Sequence, residues 1–149
     1  MKNILFTLFF FTLISCNVGK DGRKEIILEK IDEFNKEKKE WNDLTQSILK
    51  DESVNYKLGQ LISLNDLDKS IADKLNDREI KYITVRNSPE CQEVEYQKDW
   101  DNSLGTQYLQ FTTCDTLKTK NGYYQSDSSP IEVFGIGDNW LIWIDIDPI

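Results

Sequence analysis

The most informative feature of this sequence, as far as chemistry goes, is a residue type it lacks. There is no histidine. Ser-His-Asp and Cys-His catalysis, histidine general bases and histidine-ligated zinc are therefore excluded. Chemistry would have to run on carboxylates, lysine, tyrosine or a main-chain site. Glu132, Asp145 and Asp147 stand out among the carboxylates, because the first two fall within the apolar runs at 131–137 and 140–146 and the third directly follows the second run. A hairpin symmetric about Asp138-Asn139 would set Glu132 opposite Asp145, with Asp147 two residues on. Like charges opposed on a sheet repel. They could be solvated residues at a sheet end, oxygen ligands of a hard cation, or an acid/base pair for glycoside hydrolysis. The first is favoured, since strand termini are wet and no Asp-rich loop of EF-hand spacing occurs. No catalytic residue, metal or cofactor is assigned.

The same register sorts the apolar residues of the hairpin. Ile131, Val133, Ile142, Ile144 and Ile146 share the core side. Phe134, Ile136, Leu141 and Trp143 share the other, where an antiparallel sheet usually shows polar residues. Either the segment 51–64 covers this second face, or it meets a partner. The candidate partner surface is Phe134, Trp140, Leu141 and Trp143, rimmed by Glu132 and Asp145. An acidic rim favours a basic protein. Trp100, Tyr123 and Tyr124 lie near turns and could stack on a sugar or a protein. Isolated exposed aromatics are common, so they carry little weight.

The chain has three cysteines, at 16, 91 and 114. A turn centred on Asn102-Ser103 pairs Val94 with Phe111 and Tyr96 with Leu109 on one face. It pairs Glu93 with Thr112 and Glu95 with Gln110 on the other. That register, chosen without reference to cysteine, puts Cys91 opposite Cys114. Opposed strand residues supply the Cα separation of ~5.5 Å that a disulfide needs. Neither a CxxC spacing nor a basic neighbour supports a redox switch.

These residues need elements to position them. From 24 to about 50, Ile27, Ile31, Phe34, Trp41, Leu44 and Ile48 form one helical stripe. Lys38 interrupts it, which favours a helix packed on a sheet over a coiled coil. A second helix is expected from about 66 to 76, capped by Asn65, with Leu67, Ile71 and Leu75 on one side. The segment 51–64 reads as a short strand or as a loop tucking in Leu61 and Leu64. After Arg78 the period becomes two, giving strands at 80–86, 92–98, 107–113, 131–137 and 140–146, with a weaker one at 116–125. The expected fold is α+β, with two N-terminal helices packed on a four- to six-stranded antiparallel meander, in a single domain over 24–149.

The N-terminus supplies an address. Lys2, the apolar run 4–14 and Ser15 have the three parts of a secretory signal. The run is too short to span a bilayer, which takes ~20 apolar residues. Leu13-Ile14-Ser15-Cys16 resembles the lipobox of bacterial lipoproteins. The resemblance implies removal of 1–15, acylation of Cys16, a tether over 16–23 and attachment to a membrane through lipid. Asn17, where the best-known sorting rule has Asp for inner-membrane retention, implies the outer membrane. The resemblance ends at residue 16, and no family is suggested for the body. Loss of Lys2 takes the formal charge from −8 to −9. Such acidity argues against nucleic acid as a partner. The expectation is a non-catalytic protein-binding module of the envelope, such as an inhibitor, an immunity-type protein or an accessory subunit. The alternative is a small glycan-acting enzyme using Glu132 and Asp145.

Overall fold

The computed structural model describes residues 20–101, 104–126 and 130–146. The leader, Cys16, the turn residues 102–103, Asp147 and the side chain of Trp100 lie outside the described residues. In chain order the elements are α1 (Lys20–Lys50), α2 (Glu52–Asn55), β1 (Leu61–Ser63), a 3₁₀ turn (Leu64–Asp66), α3 (Lys69–Asn76), β2 (Ile80–Asn87), β3 (Gln92–Asp101), β4 (Gly105–Thr112), β5 (Tyr124–Ser126), β6 (Ile131–Gly137) and β7 (Trp140–Asp145). The strands form one seven-stranded antiparallel sheet in the order β1-β2-β3-β4-β7-β6-β5.

The α+β class is as expected, but several details differ. There are seven strands, not four to six. Helix α1 begins at Lys20, inside the segment read as tether. Helix α3 starts later than expected, and its cap is Asp68 in place of Asn65, because the Asp68 carboxylate accepts the Ser70 N–H at 2.8 Å. The segment 51–64 contributes α2 and β1, and it buries Ile62 while Leu61 stays exposed. The sheet is also not a simple meander. After β4 the chain crosses two strand positions to reach β5, then returns through β6 to place β7 beside β4. The crossing segment 113–123 runs over the sheet at Gly135. There the carbonyl oxygens of Lys120 and Lys118 would lie 2.2 and 2.4 Å from an added Cβ, so only glycine fits. Both edge strands, β1 and β5, have three residues, which limits edge-to-edge pairing.

Helix α1 docks on the other face. Ile27, Phe34, Trp41 and Ile48 recur every seventh residue, two helical turns apart, and all are buried. Polar contacts fix its path across the sheet. Arg23 approaches Glu132 of β6 at 3.8 Å. Lys38 pairs with Asp138 in the β6–β7 turn. Asn42 accepts the Trp140 indole N–H at 2.9 Å. Thr45 donates to the Trp41 carbonyl and so accepts the Tyr96 hydroxyl, at 2.7 Å. Asn87 donates to the Leu49 carbonyl at 3.2 Å. Lys38, which breaks the apolar stripe, is thus where the helix meets a turn. Under this path Trp140 is enclosed by Phe34, Phe111, Tyr96 and Trp41, with ring centroids 5.0, 5.4, 6.2 and 6.3 Å away.

The β3–β4 hairpin has the expected register, with Val94 opposite Phe111 and Tyr96 opposite Leu109. Cys91 and Cys114 are disulfide-bonded, with Cα atoms 5.0 Å apart. The β6–β7 hairpin departs from expectation. Asp138 and Asn139 both have positive φ, as a two-residue hairpin turn requires. Gly137 faces Trp140, but Gly135 faces Leu141, so Ile136 is an extra residue and forms a bulge. Every residue before the bulge therefore changes face. Glu132 and Phe134 lie on the helix side opposite Ile144 and Ile142. Ile131 and Val133 lie on the other side opposite Asp145 and Trp143.

Truncating the enclosed indole should be severe. Trp140→Ala is expected to lower the unfolding free energy by ~3–5 kcal/mol, measured by equilibrium denaturation.

Candidate functional site

The bulge divides the surface expected from the sequence. Trp140 is fully buried under α1, and Phe134 and Glu132 are buried on that same side. Leu141 is buried too, on the opposite face, where it pairs with Gly135 beneath the crossing segment. Trp143 and Asp145 remain half-buried on that second face. Glu132 and Asp145 thus project to opposite sides of the sheet. They cannot flank one bond or share one cation. Among the described residues, no group of three or more acidic or cysteine side chains could hold a metal ion. No helix among them is long and apolar enough to cross a membrane.

Of the described elements, α1 and α3 pack on the helix side, and 113–123 covers the Gly135–Leu141 corner of the second face. Across the rest of that face, directly opposed residues make one row over all seven strands: Ser63, Tyr82, Gln97, Tyr108, Trp143, Val133 and Gln125. Tyr82 and Ile131 are exposed there. At the centre, the Tyr108 and Trp143 rings stack at 3.6 Å with an interplanar angle of 2°. The Trp143 indole also donates a hydrogen bond to the Glu95 carboxylate of β3. Beside it stands Glu93, 3.2 Å from Arg86.

The electrostatics follow from this crowding. Burial foremost, and then the Glu93 charge, push the Glu95 pKa above the ordinary glutamate value, against the Trp143 hydrogen bond and Arg86. Burial, then Glu95 and Asp145, raise the Tyr108 phenol likewise. Glu95 and Tyr108 were not singled out from the sequence. Tyr108 meets Trp143 only because β4 pairs with β7, a contact between strands far apart in the chain.

A second concavity lies on the helix side. The oblique path of α1 leaves one corner of the sheet uncovered, and a cleft of ≈ 520 Å³ opens there. Phe34 and Trp41 of α1 form one wall, and Ile80, Leu109 and Ile142 form the floor. The rim is charged. Lys30, Glu33, Lys36 and Glu37 come from α1, and Asp77, Arg78, Glu79 and Lys98 from the sheet side. The Arg78 guanidinium sits 5.1 Å from the Trp41 ring centroid and pairs with Glu40 at 2.7 Å. Glu79, just past α3, has φ 61° where glycine is usual, and its carboxylate reaches Lys98 at 3.4 Å.

No protein-family model matches the chain. No curated protein and no solved structure shows a significant match to it.

The environment of Glu95 yields a prediction with a definite sign. A carboxylate whose folded pKa is raised favours the fold while protonated, and that contribution is lost as pH rises through the folded pKa. Glu95→Gln keeps an acceptor for the Trp143 indole and removes the charge. Its melting temperature should exceed the wild type's at pH ~7, and the two should converge at pH ~4, below the ordinary glutamate pKa. Thermal melts at both pH values make the comparison.

Proposed function

We propose that this chain is a lipid-anchored domain of the cell envelope that acts by binding a protein partner, through the sheet face that its helices leave uncovered. The observation that carries this reading is the Tyr108–Trp143 stack on that face, with the Trp143 indole tied to Glu95. Two large side chains held in one arrangement lose little conformational entropy on binding, and aromatic anchors of this kind dominate interface energies. The surrounding carboxylates Glu93, Glu95 and Asp145 outnumber Arg86. A second copy of this acidic chain would set like charges together, whereas a basic partner complements them. An inhibitor, an immunity-type protein or an accessory subunit fits this description.

The address rests on the lipobox-like residues 13–16, and Asn17 points to the outer membrane. The Cys91–Cys114 disulfide agrees with an oxidising compartment. Helix α1 starts at Lys20, a few residues after Cys16, so the lipid would hold the domain close to the bilayer.

Two experiments test the two halves of the proposal. Metabolic labelling with a fatty-acid analogue should mark the wild type and leave Cys16→Ser unmarked; equal labelling of both overturns the anchor. For the face, a photo-crosslinking residue placed at Tyr82 should capture a basic protein in cells, while one at Leu28, exposed on α1, should not. Trp143→Ala should then weaken binding of that protein by at least ~2 kcal/mol with the melting temperature little changed. Loss of stability without a separate binding defect would make Trp143 structural only.

A further inference from the structure

The cleft beside α1 lies on the opposite side of the sheet from the proposed partner face, and it carries an inference independent of that reading. Its volume of ≈ 520 Å³ is within the range of small-ligand sites. What sets it apart is the kind of contact its interior can make. The floor and inner wall are Phe34, Trp41, Ile80, Leu109 and Ile142. Much of the main chain beneath is paired, since Ile80 faces Lys98, Gln97 faces Tyr108, and Leu109 faces Ile142, although the ladders are irregular between Ile80 and Tyr82 and between Gln97 and Trp100. Helix α1 satisfies its own backbone internally. Gln107, at one end of the floor, is the polar side chain there, so a peptide or a sugar laid along the floor would bury most of its N–H, C=O or hydroxyl groups without partners, at a cost in free energy. An alkyl chain has no such groups to satisfy.

The rim selects the other end of the ligand. Acidic and basic side chains line it in equal number. Arg78 and Lys98 are engaged by Glu40 and Glu79. Lys30 and Lys36, and Glu33 and Asp77, make no ion pair among the described residues, so each sign of charge is left for a ligand. A singly charged head would meet one group that attracts it and another that repels it. A head carrying both signs can satisfy both. The floor residues Ile80 and Gln107 belong to the end of the sheet where Arg23, in the first turns of α1, meets Glu132.

We infer that this cleft binds a single-chain amphiphile, with its alkyl or acyl tail on the Leu109–Ile142 floor and a zwitterionic head at the Lys30–Asp77 rim.

The test uses the full chain carrying Cys16→Ser, so that no acyl group of its own competes. A single-chain phosphocholine lipid, kept below its micelle concentration, is titrated while amide NMR shifts are followed. Saturable shifts are expected at Ile80, Leu109 and Ile142. Leu109 is half-buried at the cleft floor, so Leu109→Arg should fold and raise Kd at least ~tenfold. Leu109→Trp, which fills the cleft with apolar volume, should do the same and guards against a folding defect in the first variant. Leu117→Ala, exposed on the crossing segment, should leave Kd within about twofold. Replacing the probe with a fatty acid of equal tail length should weaken binding, because its head has one charge only. Shifts that never saturate, or that persist unchanged in both Leu109 variants, overturn the site. Equal affinity for the fatty acid overturns the assignment of the head.

Discussion

Helix α1 is longer than the sheet it covers in either direction, and much of the domain's shape follows from that mismatch. Its 31 residues extend ~46 Å. Seven strands make a sheet ~29 Å wide, and the longest strand, of ten residues, extends ~33 Å. A helix of that length can stay in contact only along a diagonal. The series of contacts from Glu132 through Asp138 and Trp140 to Tyr96 and Asn87 traces that diagonal. Trp140 lies where it passes the turn end of β7, and four other rings close on it. The same geometry leaves a corner bare, so the cleft at Leu109 and Ile142 follows from an oversized helix on a small sheet.

How much of this could be read in the sequence depends on the range of the interaction. The helix could be read because its signal is local, in the recurrence of Ile27, Phe34, Trp41 and Ile48. The β3–β4 hairpin and its disulfide could be read because alternating apolar residues around one turn have only one good alignment. The β6–β7 hairpin departs from the expected register by a single residue, with large consequences. Its turn at Asp138-Asn139 is where expected, but Gly135 and Gly137 bracket an extra residue, and glycine inside a strand is the local mark of a bulge. Giving weight to those two glycines would have moved Phe134 and Glu132 to the helix side.

The centre of the second face was beyond local reading. Tyr108 and Trp143 are separated by β5, β6 and the crossing segment, and nothing in either stretch specifies that β7 returns to β4 ahead of β5. The length of the 113–123 connection allows such a crossing without demanding it. Its route explains another misassignment. The expected cover for the second face was 51–64, whereas the cover that exists is the crossing segment itself. It shields Leu141 and stops short of Trp143, because Gly135 is the point at which backbone can approach backbone.

The Arg23–Glu132 contact shows how the bulge and the helix depend on each other. An ion pair with one buried member and imperfect satisfaction is a weak stabiliser, since desolvation offsets most of its attraction. Here the Arg23 Nε has no acceptor and the separation is 3.8 Å, so net stability is a poor explanation for its presence. Position is a better one. Glu132 reaches the helix side only because Ile136 is bulged out. Once there, a buried carboxylate strongly disfavours any placement of α1 that removes its counterion. Apolar contacts repeating every two turns would let α1 slide by seven residues at modest cost, whereas a slide would strand the buried Glu132 and the Trp140 indole N–H. The stripe supplies the attraction, and the polar contacts along it choose the one alignment that leaves Trp143 on the open face and the cleft beside the middle of the helix.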